Sequence, residues 1–550
     1  MIKAQEVFDL LNKYGREGKS CLFAINYKMT RGIFVSDPLK QKNILFRVGD
    51  ISNIPKRKLP LITLKSYPES LDDYKSKFDI IQKHLINGNT FLANLTIKTP
   101  IKLDSSSSGD DLLADLAVQV SGSNTRYILY CPENFLCFLP ETFIRIDKNA
   151  RISSFPMKGT IDADMPDAEN VILNDYKETA EHSTIVDFIR SDLSRVATDI
   201  QVDRFRFITR VEKEKGTILQ VSSEISGHLS NKFYRKNMLN LGDVIKAQLP
   251  AGSICGAPKM PTCEAIDEAE NDADKRGYYS GVMGYFDGKE LDSAVMIRFI
   301  EQSGSHYFFH SGGGITINSS LKSEYQEVIE KIYLPQIESY IETICIESNG
   351  SVPLKKYHLD RVSRTNIGED VEKEIEKLID KYSHNYETAA ADDDKKRYKL
   401  RIVYNMMGLS DVSCVEYNIR PVIQLIFKEL PDIDYHHKYL NRSMFDNIGE
   451  AAENGGFKEV IITKNGALTD MRYANIVFED YNGDYFTPDT PLLKGTRRAQ
   501  LLDAHIIHER HITIEDLHLQ KGSNSFKAVH LINGMMSLNE CVVPIENIIF

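Results

Sequence analysis

Residues 175–197 read DYKETAEHSTIVDFIRSDLSRVA and residues 323–332 read SEYQEVIEKI. Both carry the period of an amphipathic helix, in which side chains three and four apart share a face. Glu178 and Glu181 therefore sit together, as do Glu324 and Glu327, with Lys331 one turn beyond. Two helices that each present two carboxylates can serve a hard divalent cation, with waters and a substrate oxygen filling the octahedron. Taken alone, such pairs more commonly make a solvated surface.

Outward from these helices, PAGSICGAPK (250–259) and HSGGGIT (310–316) offer backbone amides without side-chain obstruction, as a tightly held carboxylate needs. Gly252, Gly256 and Lys259 lack the spacing of a Walker phosphate loop. Cys255 has no G-x-C-x-G elbow around it and reads as a small buried residue. TFLANLTIKTPI and TRYILYC in the first part, and KLRIVYNMMG, EVIITKNG and NIVFED in the second, read as strands between helical segments. LDSSSSGDD (103–111) and TAAADDDKKR (388–397) read as solvated loops. The helical period of 322–342 meets Pro335 and gives way to the strand-like ETICIES, which puts a boundary near 336–340. The expected domains are 1–336 and 340–550, both α/β or α+β.

Composition narrows the function classes. The 550 residues are 42% hydrophobic, an ordinary globular share, with 67 Lys plus Arg against 78 Asp plus Glu and a net charge of −11. Such a balance gives no general attraction to phosphate backbones or anionic lipid, so neither nucleic acid nor membrane is an expected partner. Lys3, Glu6 and Asp9 interrupt the apolar positions at the start, unlike a signal peptide. Eight cysteines without a C-x-x-C pair suit a reduced, cytoplasmic setting.

An ordered motif set then emerges: PETF (140–143), PMKGT (156–160), AEHSTIVDFIRSDLSRV (180–196), GSICGAPK (252–259), YYSGVMGYF (278–286), DSAVMIR (292–298), SGGGI (311–315) and EYQE (324–327). Together they resemble the chorismate-utilising enzymes over about residues 75–335, and the PMKGT loop resembles that of aminodeoxychorismate synthase component I. The resemblance implies a β-sandwich core with surrounding helices. It implies that Glu181 and Glu327 ligate Mg²⁺ while Glu178 and Glu324 hold its waters. Arg298, Tyr279, the amides of Gly312, Gly313 and Gly314, and Lys331 would bind chorismate. Lys158 would attack C2 of the ring, Glu141 would protonate the departing C4 hydroxyl, and ammonia would enter at C4 and expel the lysine. Its source would be a separate glutamine amidotransferase subunit, component II. Leu92 stands where isochorismate-forming relatives keep a water-activating Lys, and Cys255 replaces the family's Thr.

The second part carries YHLDRVSR (357–364), HHKYLNR (436–442), GALTDMRYANIVF (466–478), LLKGTRR (492–498) and LINGMM (531–536). A Lys beside two His and an Arg is an amine whose pKa neighbouring cations can lower. The five motifs resemble the class IV pyridoxal-phosphate enzymes, a fold of two small α/β subdomains shared by branched-chain and D-amino-acid aminotransferases and aminodeoxychorismate lyase. That resemblance implies that Lys438 binds pyridoxal 5'-phosphate covalently and that Asp470, in place of the family's Glu, partners the pyridine nitrogen. Arg361, Gly495, Thr496 and Asn533 would hold the phosphate, in a homodimer built through this domain. His505, His508 and His511, taken as an i, i+3, i+6 helical series, drift around the helix and make a poor metal set.

The two resemblances together imply a bifunctional α+β enzyme making 4-aminobenzoate for folate, amination feeding an elimination of pyruvate. A transaminase or a silent dimerisation domain in the second part are the alternatives.

Overall fold

The computed structural model describes the chain except residues 106–110, 139, 164, 213–216, 237, 272–275, 366, 388–395, 432, 446–456, 519–525 and 550. The chain divides into two compact units, Met1–Pro55 with Pro60–Gln336, and Lys56–Leu59 with Ile337–Phe550. The centres of both low-complexity stretches, 106–110 and 388–395, lie outside the described residues.

In the first unit the strand Leu92–Asp104 shows why these residues make a half-buried sheet. Ile97, Thr99, Ile101 and Leu103 are buried while Lys98, Pro100 and Lys102 alternate outward. Tyr127–Cys131, buried at every position, is an interior strand. Among the described residues these belong to a sheet of nine strands, and a second sheet of ten includes Cys21–Ile25, Glu141–Ile146, Met157–Asp162 and Val282–Phe286. Leu22, Met283 and Ala294 from one sheet pack with Phe46, Leu129 and Cys137 from the other in a single core, so the sheets form a sandwich. The first 75 residues carry no motif, yet they complete both sheets: Cys21–Ile25 pairs with Val282–Phe286, and Leu45–Val48 pairs with Tyr127–Tyr130.

The helix Tyr176–Leu193 begins at Asp175, whose side chain accepts from the Glu178 amide. His182, Ile185, Val186, Ile189 and Leu193 form its buried stripe, so Glu178 is carried at the helix's first turn. The helix Leu321–Glu330 buries Glu324 and Val328.

Among its described residues the second unit contains a three-stranded sheet (Tyr340–Glu347, Arg397–Asn405, Gly408–Glu416), a four-stranded one in which Val422–Glu429 and Phe457–Lys464 run parallel, and a five-stranded one including Asn475–Asp480 and Phe526–Ile532. Leu425, Ile461 and Leu468 meet Phe478, Val529 and Leu531 in the core joining the last two sheets. The helices Lys355–Val362 and Glu369–Glu387 pack on the first sheet, giving two subdomains. One local expectation fails: residues 505–511 are no helix. His505 takes a left-handed turn at φ 54° and His508–Arg510 is a strand parallel to Tyr485–Pro488, because the turn residue ends the helix Thr496–Asp503. No helix among the described residues is long and apolar enough to cross a membrane.

Candidate active sites

In the second unit a cavity of about 1040 Å³ is lined by Lys438, Thr343, Arg361, Asp470, Gly495 and Thr496, among others. Lys438 is placed by backbone pairing: its carbonyl accepts from Ile341 N, and Leu440 N donates to Ser339 O. The segment is thus an added rung beside Tyr340–Glu347, and the Lys438 Nζ reaches Thr343 Oγ1 at 2.9 Å. Burial, then the charge of Arg361, lowers the pKa of this amine to about 7, against a partial restoring pull from Glu342. A lysine so poised is half neutral at neutral pH and can act as nucleophile or base.

Glu342 is the residue that motif reading missed. Strand alternation sends Thr343 to the cavity and Glu342 to the opposite, fully buried face. There it accepts from Arg361 Nε at 2.8 Å and Nη2 at 2.6 Å, and its other contact is His358 Nδ1 at 2.5 Å. Burial alone would raise its pKa, but Arg361 and His358 hold the carboxyl well below its ordinary range. Its signal in the sequence was an acid in the apolar strand ETICIES, since a buried charge requires a partner.

Asp470 accepts from Asn475 Nδ2 at 2.7 Å and from Leu493 N at 2.8 Å. Burial lifts its pKa to about 6 despite these bonds, a carboxylate that a cationic ring nitrogen would stabilise. Gly495 is required by close approach: a Cβ there would lie 1.9 Å from Asn475 Oδ1. Thr496 opens the helix Thr496–Asp503, and its buried hydroxyl has no hydrogen-bond partner among the described residues. Free amides and an unpartnered hydroxyl at a helix N-terminus beside a buried Arg suit a phosphate group. These features fit pyridoxal 5'-phosphate. Asn533 differs from expectation: its Oδ1 accepts from Met535 and Met536 N, and its Nδ2 donates to Tyr473 O. It shapes the loop of residues 533–536, leaving one amide hydrogen for any ligand.

In the first unit Glu141 opens the strand Glu141–Ile146 opposite Val295 and is buried beside Asp192, Gln248 and Gly252. Lys158 lies on Met157–Asp162, next to Gly159 at φ 90°. A Cβ at Gly159 would meet Glu178 Oε2 at 3.0 Å, so that carboxylate lies against the Lys158 strand. The side chains of Lys158 and Glu181 are outside the described part. Glu324 and Glu327 both face Gly313, 3.5 and 4.0 Å from where its Cβ would be. Lys331 donates to Glu327 Oε1 at 2.6 Å and to Gly312 O at 3.0 Å, so it braces the carboxylate that sequence reading set beside it.

Gly312, Gly313 and Gly314 pair with Thr96, Leu95 and Asn94. Amides alternate in direction along a strand, so the three cannot all face one ligand, which corrects the expected three-amide cradle. Arg298, at φ 53°, stands where the chain crosses from one sheet to the other, its guanidinium 5.6 Å from the Tyr333 ring centre. Tyr279 is buried against His310 and Phe299, and burial pushes its hydroxyl up to about 12. Arg298 Nε, Asn94 Oδ1 and Ser311 Oγ are buried without hydrogen-bond partners among the described residues. Orphaned polar atoms around one strand mark a place for a polar ligand. Behind it Glu270, also unnoticed in the sequence, binds Thr96 N and Oγ1 and pairs with the buried Arg276, which donates to Asn94 O at 2.7 Å.

The four Glu carboxylates are hard oxygen donors of the kind Mg²⁺ takes, and Glu324 and Glu327 share one glycine face. Among the described residues no three His, Cys, Asp or Glu side chains group closely enough to hold a metal.

Residues 50–335 match the family described as chorismate binding enzyme, and residues 339–545 match amino-transferase class IV. An uncharacterized PabA-like protein of Haemophilus influenzae is 44% identical over 336 residues, covering 60% of this chain and 97% of its own. Aminodeoxychorismate synthase component 1 of Escherichia coli is 30% identical over 281 residues, 48% of this chain and 58% of its own. Anthranilate synthase component 1 of Archaeoglobus fulgidus is 35% identical over 198 residues, 35% of this chain and 45% of its own.

Proposed function

From the premise that this chain belongs to the chorismate binding enzyme family and continues into an amino-transferase class IV unit, we propose that it makes 4-aminobenzoate in two consecutive steps. The first unit replaces the C4 hydroxyl of chorismate with an amino group. The second eliminates the enolpyruvyl group of that product as pyruvate and aromatises the ring, supplying folate synthesis. The observation that carries this is the fusion itself: one chain joins a chorismate unit to a unit whose cavity holds a lysine amine of pKa about 7.

In the amination, Lys158 attacks C2, and the buried Glu141 gives its proton to the leaving C4 hydroxyl, which departs as water. Ammonia adds at C4 and the electron pair returning to C2 displaces the lysine. Arg298, Tyr279 and those Gly312–Gly314 amides that face away from Leu92–Asp104 hold the carboxylates. Glu181 and Glu327, with Glu178 and Glu324, would hold Mg²⁺, which would offset ring-carboxylate charge. A PMKGT loop rather than an Ala in the Lys position supports C4 over C2 amination. A separate glutamine amidotransferase subunit delivers ammonia, because the chain has no G-x-C-x-G nucleophile elbow.

In the second step Lys438 would hold the cofactor through its amine, and the same amine, once free, removes the C4 proton of the substrate. Pyridoxal 5'-phosphate, when bound, supplies the electron sink for that proton loss. Asp470 would support its ring nitrogen, and Arg361 with the Gly495 and Thr496 groups would hold its phosphate. This unit forms a homodimer, and the enzyme acts in the cytoplasm. Product analysis after incubation with chorismate, ammonium, Mg²⁺ and pyridoxal phosphate tests the function. Equal 4-aminobenzoate and pyruvate are expected, and anthranilate as the main product would contradict it.

A further inference from the structure

The cavity of the second unit is strongly basic, with eight cationic side chains lining it against the carboxylates of Glu416, Glu459 and Asp470. Three of these cations are committed to carboxylates. Arg361 is held by Glu342, Arg401 pairs with Asp411, and Arg472 pairs with Glu459 at 3.1 Å. Lys399, like Lys458, lines the cavity and makes no ion pair among the described residues. It sits on Arg397–Asn405, a central strand paired on both sides, opposite Cys345 and Val415, so its backbone is fixed.

Register locates it relative to the chemistry. Arg401 is directly opposite Thr343, the residue that receives the Lys438 ammonium bond. Lys399, two residues earlier on the same face, is the diagonal neighbour of Thr343, at roughly 7–8 Å between backbones. From that diagonal position a cation is better placed for a carboxylate several atoms from the amine at Lys438 than for one on the carbon that bears it. It can meet a carboxylate carried across a six-membered ring from the amine.

We propose that Lys399 is the specificity-determining anchor for the ring carboxylate of the substrate in the second unit, selecting a ring that bears amine and carboxylate in para relation over an α-amino acid. The proposal rests on the reading of this unit as the pyruvate-releasing one, and names the group that recognises its substrate. The charge of Lys399 also helps lower the pKa of Lys438, consistent with their closeness. A bound carboxylate at Lys399 would offset this effect.

The test is equilibrium binding to the holoenzyme of 4-aminobenzoate and of its uncharged counterpart 4-aminobenzamide, by calorimetry. In the wild type the acid binds at least tenfold more tightly than the amide. Lys399→Met weakens the acid about tenfold, the size of one lost charge-assisted contact, and leaves the amide unchanged, while Lys399→Arg restores most of the preference. Equal losses for both ligands would reveal a merely structural role and overturn the proposal, as would an unchanged affinity for the acid or no acid binding by the wild type. Pyruvate release from supplied aminodeoxychorismate is measured beside it. A wild type that binds the acid through Lys399 but releases no pyruvate refutes the functional reading while leaving the anchor in place.

Discussion

Glu342 and Arg361 form a buried two-point pair, with Nε and Nη2 of the guanidinium 2.8 and 2.6 Å from the two carboxylate oxygens. The pair fixes the plane of an Arg that lines the cavity, so on the proposed reading the cofactor phosphate would meet a cation already oriented.

Glu342→Gln keeps the shape and removes the charge. Arg361 is left buried with a neutral partner, and cofactor affinity, read by absorbance titration of the apoprotein, is expected to fall about tenfold or more. Unchanged affinity would show that Arg361 needs no such support.

The pKa of Lys438, about 7, predicts how cofactor capture depends on pH. Only the neutral amine attacks the carbonyl, so the rate of reconstitution climbs between pH 6 and 8 and levels off above. It should be about fivefold slower at pH 6 than at pH 7. A lysine at its ordinary pKa would instead keep accelerating to pH 10.

Asp470→Asn can still accept from Leu493 N with its one oxygen, gives up the bond from Asn475 Nδ2, and cannot carry the negative charge that favours a protonated ring nitrogen. Pyruvate release from supplied aminodeoxychorismate should drop by about two orders of magnitude while amination of chorismate is unaffected. An equal fall in both steps would point to a folding defect.

Much of this arrangement could be read before any coordinates. The resemblance carried by the ordered motifs implied the sandwich, residue alternation marks the strand Leu92–Asp104, and the apolar run Ile476–Phe478 marks Asn475–Asp480. Other features depend on partners far apart in sequence. Cys21–Ile25 completes a sheet by pairing with Val282–Phe286, which no local pattern announces. Glu342 reads as an ordinary strand residue until His358 and Arg361 fold over it. The amide directions of Gly312–Gly314 come from the ladder with Asn94–Thr96, not from glycine content. The histidines at 505, 508 and 511 misled because a three-residue spacing fits a turn followed by a strand as well as a helix.

Glu327→Ala removes a carboxylate that faces Gly313 and pairs with Lys331. Amination should be lost and its Mg²⁺ dependence with it, while pyruvate release from supplied aminodeoxychorismate persists. Lys158→Ala should slow amination in the same selective way. Wild-type Mg²⁺ dependence in Glu327→Ala would remove this residue from the site.

The sequential account is tested most directly by Lys438→Ala. This change removes the amine that bonds Thr343 Oγ1 and would take the C4 proton, while Arg361 and Thr496 remain to bind cofactor noncovalently. Chorismate, ammonium and Mg²⁺ are supplied to the variant and the products followed by chromatography. Aminodeoxychorismate should accumulate at a near-normal rate with little 4-aminobenzoate, whereas 4-aminobenzoate and pyruvate appearing at wild-type speed would contradict the assignment of the second step to this cavity.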